Sequence, residues 1–159
     1  QMLKSILSMG YLWTKVRVQN GAYGCFCDFR KSGNMFFVSY RDPNLDQTLE
    51  IYNGVADYIE KLELTEREQL QYLIGTISQL DFPYTPASEG KTGQIYYLMD
   101  ITESELQQTR DELFGTDVNV LQSFAPMIRS CMENEYYCVF GNQQAIDQAQ
   151  TVFEQKTTV

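Results

Sequence analysis

Two aromatic-rich segments near the start of the chain, residues 22–29 and 35–40, are separated by the polar, glycine-containing sequence Arg30–Asn34. Aromatic residues pack well on a pleated surface, and two such segments around a turn are typical of an antiparallel hairpin. The hairpin restricts the fold strongly, because most of the remaining chain shows the spacing of helices. The sequence therefore predicts an α+β fold, in which an antiparallel or mixed sheet carries helices on one face.

Helices are predicted on both sides of the hairpin. Apolar or small residues between Leu3 and Trp13 recur at steps of three and four, and this helix should end near Arg17. After the hairpin, Asp42 followed by proline is a typical helix start, and an apolar stripe runs without interruption from residue 45 to residue 59. We therefore expect one continuous helix after the hairpin.

Two capping boxes predict further helices, at Thr65–Glu68 and Thr102–Glu105. In this motif the threonine and the glutamate satisfy each other's unpaired backbone donors at the start of a helix. Gly115 should close the second helix, and Thr116 should cap another one whose apolar residues extend to Ile128.

The remaining segments are less regular. Proline and glycine predict an irregular stretch at 81–93 and helix again at 94–99, a short strand at 136–140 and a final helix at 145–153. Three strands make a thin sheet, and the hairpin is too apolar to be exposed on both faces. We therefore expect one domain, residues 1–159, whose further upstream strands lie outside these residues.

Composition excludes several classes of protein. The formal net charge of −9 would repel a phosphate backbone, so nucleic acid is not expected as a partner. No apolar stretch approaches the roughly 20 residues needed to span a membrane. A chain with an adequate core does not need disulfides, so we expect four reduced, buried cysteines, with a cysteine zinc site as the alternative. Free thiols and the lack of an export signal within these residues favour the cytoplasm.

The chain contains no histidine, which excludes Ser-His-Asp and Cys-His catalysis and both orders of the histidine-glutamate zinc protease motif. Carboxylates cluster around residues 60–68 and 100–112, but they occupy helix starts and polar faces where solvated charge is expected. Neither a dinucleotide fingerprint nor a phosphate-binding loop is present. The residues therefore indicate no catalytic centre within this chain.

One segment, Tyr11–Gly24, carries a distinctive pattern: a helix ends at Arg17, and the glycine-flanked Tyr23 opens a strand six residues later. Both residues also have structural interpretations, because an arginine in a last helical turn interacts favourably with the helix dipole and a tyrosine at a strand start is often half buried. Trp13 is interpreted as a core anchor on the face that holds Ile6 and Gly10.

This segment is similar to the L-W-x-x-V-R-x-x-G-G-A-Y-G signature in the C-terminal half of insulinase-type (pitrilysin family) zinc proteases, particularly the presequence-protease branch. Ser39–Asn44, Ile74–Ile77 and Cys138–Gly141 resemble that branch in order and spacing. The resemblance extends over nearly the whole chain. Asn20 replaces the first glycine of the signature, and asparagine also tolerates a left-handed turn.

The resemblance implies a clamshell-like peptide-degrading metalloendopeptidase whose N-terminal half holds zinc through an inverted motif. No cofactor is expected in this chain, which would supply chamber wall to that half. Arg17 and Tyr23 would reach the peptide substrate, Arg17 as a cation that holds peptide carbonyls or a carboxylate and Tyr23 as an oxyanion donor, with Gly21 and Gly24 forming the supporting turn. The isolated chain would then lack peptidase activity and self-associate. The alternative is a non-catalytic peptide-binding module or an inactive partner subunit of the same fold.

Overall fold

The computed structural model describes residues 1–30, 32–151 and 153–157. These form two compact units, one comprising Gln1, Leu3–Leu62 and the chain from Leu121, the other comprising Met2 and Glu63–Val120. The α+β fold is confirmed. The helices are α1 (Met2–Ile6), a π-helix (Leu7–Gln19), α2 (Leu45–Asn53), α3 (Val55–Glu60), α4 (Glu66–Leu80), α5 (Pro86–Leu98), α6 (Glu103–Phe114), α7 (Val118–Gln122), α8 (Ala125–Met132) and α9 (Gln143–Gln148).

The first helix begins as α1 and continues as a π-helix up to Gln19. A π-helix has i→i+5 hydrogen bonds, so each turn holds more residues than the about 3.6 of an α-helix. The buried side chains of this segment accordingly recur at steps of four and five, at Leu7, Tyr11, Leu12 and Val16. The helix is confirmed, but the predicted core role of Trp13 is wrong: its side chain is 39% exposed because the wider winding turns it out of the core face.

The predicted hairpin is confirmed as strands β1 (Gly24–Phe29) and β2 (Met35–Tyr40), paired antiparallel with Gly24 opposite Tyr40. One face packs on helices: the Cys27 Sγ lies 3.5 Å from the Ser8 Oγ of the π-helix, and Phe37 stacks on Tyr52 of α2 at 5.5 Å between ring centroids. On the other face Phe26 is 49% exposed. The sheet among the described residues has two strands.

The single helix predicted after the hairpin starts later and is interrupted. It begins at Leu45, because the Asp42 carboxylate accepts from the Asn44 N–H at 3.0 Å and from the Thr48 hydroxyl at 2.7 Å in a turn that precedes α2. Gly54 then separates α2 from α3. A Cβ at Gly54 would lie 2.8 Å from the Tyr11 hydroxyl oxygen, so glycine permits the close approach of that buried tyrosine.

In the second unit, both predicted capping boxes are confirmed. The Glu68 N–H donates to the Thr65 hydroxyl at 3.3 Å while the Thr65 N–H donates to the Glu68 carboxylate at 2.9 Å, and Thr102 and Glu105 repeat the arrangement. The irregular stretch predicted at 81–93 is wrong beyond residue 85. Thr85 caps α5 with Pro86 in its first turn, so proline starts this helix instead of breaking it.

The predictions for the end of the chain are corrected in four places. Asp117, not Thr116, accepts from the Val120 N–H at the start of α7, and the single helix expected from there to Ile128 is divided into α7 and α8. No strand occurs at 136–140 among the described residues, since no neighbouring strand pairs with it. The last helix is the short α9, while part of its predicted range, Val152, lies outside the described residues. All four cysteines are free, but Cys27 alone among them is buried: Cys25 is half-buried, and Cys131 and Cys138 are exposed.

Candidate functional site

Arg17 lies in the last turn of the π-helix, and Gly21 ends that helix. The Gly21 φ of 79° is left-handed, and its N–H donates to the Arg17 carbonyl oxygen at 3.0 Å. Such a glycine is a common helix terminator, because a Cβ disfavours this conformation. Asn20 has a right-handed φ of −101°, so the position that departs from the signature requires no glycine.

Tyr23 follows this turn directly and is joined to the far end of the hairpin. Its N–H lies 3.1 Å from the Tyr40 carbonyl oxygen and 3.3 Å from that of Arg41, a bifurcated hydrogen bond. The Tyr23 side chain is 63% exposed. Gly24 is the first residue of β1 and has no positive φ; a Cβ there would meet no atom within 4 Å. The turn itself therefore depends on Gly21, while Gly24 leaves open space beside Tyr23.

The two signature residues meet in an exposed group of cations and aromatic rings. The guanidinium carbon of Arg17 lies 4.0 Å from the Trp13 ring centroid and 5.9 Å from that of Tyr23. Arg41 approaches Tyr23 from a second position, at 5.7 Å, and also lies 5.4 Å from the Tyr40 ring. We call these five residues, Trp13, Arg17, Tyr23, Tyr40 and Arg41, the cation–aromatic patch.

Aromatic faces, not carboxylates, hold the two arginines of the patch. Among the described residues, Arg17 and Arg41 have no carboxylate within 4.0 Å, whereas Arg110 pairs with Asp81 and Arg129 bridges two carboxylates of α3. A guanidinium over an aromatic face is attracted by the ring quadrupole and keeps its N–H donors for another acceptor. The patch therefore presents two cations on a chain whose formal net charge is −9.

Three members of the patch were not predicted as site residues: Trp13, Tyr40 and Arg41. Tyr40 and Arg41 belong to the segment Ser39–Asn44, which was used only for its family resemblance. The register of the hairpin also indicates which residues lie next to Tyr23. With Gly24 opposite Tyr40, the next residues along the two strands are Tyr23 and Arg41. The pairing expected from the turn sequence would have placed Arg41 beside Tyr23.

Among the described residues, the buried thiols and the helix-capping carboxylates do not form a second site. Burial raises the pKa of the Cys25 and Cys27 thiols, although nearby Arg17 acts in the opposite direction on Cys25, so both stay protonated at neutral pH and are poor nucleophiles. Hydrogen bonds from Thr65 lower the pKa of Glu68, as expected for a capping carboxylate. These carboxylates and thiols therefore keep structural interpretations.

The residues that the structure describes do not fit a zinc ion. Histidine is absent from the sequence, and no three cysteine, aspartate or glutamate side chains lie close enough together to hold a metal within residues 1–30, 32–151 and 153–157. Zinc sites in proteins need three or four such ligands. Over the same residues, no helix is both long and apolar enough to cross a membrane.

Replacement of Gly21 should destabilise the protein, since alanine disfavours the left-handed φ of 79°. We expect Gly21→Ala to lower the free energy of unfolding by about 1 to 2 kcal/mol. The matched control is Gly24→Ala, where open space and an extended backbone predict a change within about 0.5 kcal/mol. Urea denaturation of both variants measures the difference, and equal stabilities would contradict the assigned role of Gly21.

Comparison with known proteins agrees with the signature. Residues 1–140 match the model of a family described as PreP C-terminal domain. The chain is 43% identical over 152 residues to Protein HypA of Clostridium perfringens. This match covers 96% of this chain and 16% of that protein. It is 34% identical over 144 residues to Presequence protease 1, chloroplastic/mitochondrial, of Arabidopsis thaliana, covering 90% of this chain and 13% of the relative.

A further relative is the mitochondrial presequence protease of Drosophila melanogaster, which is 27% identical over 124 residues, covering 77% of this chain and 12% of that protein. The chain thus spans less than a fifth of the length of each of these three relatives. The predicted resemblance to the presequence-protease branch is confirmed, and the family match extends over most of the chain. The chain belongs to the PreP C-terminal domain family.

Proposed function

We propose that this chain is the C-terminal part of a peptide-degrading zinc metalloendopeptidase and that its cation–aromatic patch contacts the peptide during cleavage. The observation that carries the proposal is the convergence of Arg17 and Tyr23 on one exposed patch, with the guanidinium 5.9 Å from the phenol ring. The relatives named presequence proteases support the reaction class.

In this proposal Tyr23 donates a hydrogen bond to the substrate. Its phenol is exposed, and its backbone is fixed by the bifurcated hydrogen bond to Tyr40 and Arg41 and by the Gly21 turn. A fixed O–H donor stabilises negative charge that develops on a carbonyl oxygen during attack on an amide, because the donor needs no reorganisation. Tyr23 would therefore act chiefly on the transition state.

Arg17 holds the peptide in the same proposal. Its guanidinium stacks on Trp13 at 4.0 Å, which restricts the side chain before substrate arrives. A planar cation with several N–H donors binds carbonyl oxygens or carboxylates with defined geometry. Such a contact strengthens binding of the ground state and the transition state alike.

The metal, on this proposal, belongs to an N-terminal half of the same protease, which would be the main partner of this chain. The exposed apolar side chains of the first unit, such as Phe26 of the hairpin, would contribute to the chamber wall or the contact with that half. The free thiols favour a reducing compartment, which we take to be the cytoplasm.

The proposal is tested by comparing this chain with the whole protein in a fluorogenic peptide-cleavage assay combined with metal analysis. We expect the isolated chain to cleave no peptide and to retain less than about 0.1 equivalent of zinc after mild chelation, because its donor set does not fit zinc. The whole protein, in contrast, should cleave the peptide and retain zinc after the same chelation.

Either of two results would contradict the proposal. One equivalent of zinc on the isolated chain would show a metal site that the donor set does not provide. A whole protein that binds peptides without cleaving them would instead support the alternative, a non-catalytic peptide-binding module or an inactive partner subunit.

A further inference from the structure

Arg41 is the member of the patch with the least ordinary backbone. Its φ of 50° lies in the left-handed region, which residues with long side chains rarely adopt. Residues held in this region persist where the surrounding structure fixes them, and they concentrate at functional sites. The strain alone assigns no role, but it marks a position at which the chain maintains a particular side-chain direction.

Hydrogen bonds on both sides hold Arg41 in this conformation. Its carbonyl oxygen accepts from the Tyr23 N–H at 3.3 Å. The next residue, Asp42, is bonded to α2 through the Thr48 hydroxyl, and the Asn44 amide donates to the Asn20 carbonyl oxygen at 2.7 Å. The segment that carries Arg41 is therefore tied to the turn that follows Arg17.

The direction of the Arg41 side chain places a second guanidinium at Tyr23. Both Arg17 and Arg41 lie within cation–π distance of the Tyr23 ring, at 5.9 and 5.7 Å, and each has a further aromatic ring beneath it. The nearest acidic neighbour in sequence, Asp42, uses its carboxylate oxygens for Asn44 and Thr48. Two cations thus share one exposed tyrosine without an internal counter-ion among the described residues.

We infer that Arg41 is a second substrate-binding residue and that, with Arg17, it binds a carboxylate of the peptide beside Tyr23. Guanidinium groups bind carboxylates through paired, charge-assisted hydrogen bonds, and two of them favour an anion over a neutral amide. The inference rests on the proposed function, because it takes the patch to be a peptide-binding surface. It adds a preference for peptides that present a carboxylate at this point, either at the C-terminus or on a side chain.

Binding measurements on the whole protein, with peptide cleavage blocked by chelation of its metal, test this preference without depending on turnover. Three fluorescein-labelled peptides serve as probes. The parent peptide has a C-terminal amide and an internal glutamine. The second has the same sequence with a free C-terminal carboxylate, and the third is the amide with glutamate in place of the glutamine. Fluorescence anisotropy should show at least one carboxylate peptide binding about three- to tenfold more tightly than the neutral one. The peptide that gains affinity identifies the source of the carboxylate.

Arg41→Asn is the informative variant, because asparagine tolerates a left-handed φ and removes the guanidinium without adding strain. We expect it to abolish the carboxylate preference, so that the three peptides bind the variant with affinities within about twofold of one another. Arg41→Lys should keep part of the preference, because it keeps the charge but loses the planar fork. Arg67→Asn, at an exposed arginine of α4 in the second unit, should keep all of it.

The outcomes separate this inference from the proposed function. A wild-type protein with equal affinity for all three peptides, or an Arg41→Asn variant with an unchanged preference, would overturn the role of Arg41 while leaving peptide cleavage intact. Failure of the whole protein to bind any of the peptides would contradict both.

Discussion

Tyr23→Phe in the whole protein should lower kcat for peptide cleavage by at least about tenfold without changing the metal content or the fold. The substitution removes only the phenol oxygen, and the exposed ring can keep its contacts with Arg17, Arg41 and Tyr40. Loss of one oxyanion donor typically costs about a hundred- to a thousandfold in turnover, roughly 3 to 4 kcal/mol. A tenfold loss is the minimum because other donors around the carbonyl oxygen can share this role.

The control for this prediction is Tyr97→Phe, at a tyrosine of α5 that is 85% exposed and lies outside the patch. It should leave kcat within about twofold. The thermal unfolding temperature of both variants should match the wild type, since neither hydroxyl is buried. Activity within about threefold of wild type for Tyr23→Phe would instead support the interpretation of Tyr23 as an ordinary residue at a strand start.

Arg17→Ala should impair binding as well as turnover. On the proposed function the guanidinium contacts the peptide in the ground state and in the transition state, so its removal should raise KM and lower kcat, reducing kcat/KM by about ten- to a hundredfold. Steady-state kinetics over a range of peptide concentrations separates the two effects. A rise in KM distinguishes Arg17 from Tyr23, whose loss should act mainly on kcat.

Two further variants separate function from helix stability at Arg17. Arg17→Lys keeps the cation in the last helical turn but loses the planar fork, so it should restore stability more fully than activity. Arg67→Ala, at an exposed arginine of α4, should change neither kcat nor KM by more than about twofold. If Arg17→Ala loses stability but keeps kcat/KM within about threefold, its role is that of a helix-terminal cation.

Features of the fold that depend on local chemistry were predictable from the sequence. Both capping boxes are local motifs, because the threonine and the glutamate that form each one are three residues apart, and both occur where predicted. The same local chemistry explains the error at residues 86–93. Thr85 and Pro86 form a helix start, but proline and glycine together were interpreted as an irregular stretch.

Features that depend on distant partners or unusual winding were not predictable in the same way. The segment at 136–140 has the composition of a strand, but a strand requires a neighbour to pair with, and composition carries no information about it. Trp13 was assigned to the core from an α-helical period. The π-helix changes that period, so the tryptophan is exposed and stacks on Arg17.

The candidate site contains residues that the sequence predicts and residues whose position depends on distant pairing. The family signature predicts a site role for Arg17 and Tyr23, whereas the local sequence pattern alone also allows purely structural roles for both residues. Arg41 was not predicted as a site residue, because its left-handed backbone and its approach to Tyr23 arise from the pairing of hairpin ends that are far apart in sequence. The hairpin register links the two ends, so it contains more information about the site than residue types alone.

The most direct test of the account is photo-crosslinking at position 23 in the whole protein. A benzophenone amino acid in place of Tyr23 should form a covalent product with a bound peptide, detected by mass spectrometry at that residue and suppressed by excess unlabelled peptide. The same photoreactive group in place of Tyr97, an exposed tyrosine outside the patch, should give no such product. Peptide capture at position 97 but not at position 23 would contradict the claim that the cation–aromatic patch binds substrate.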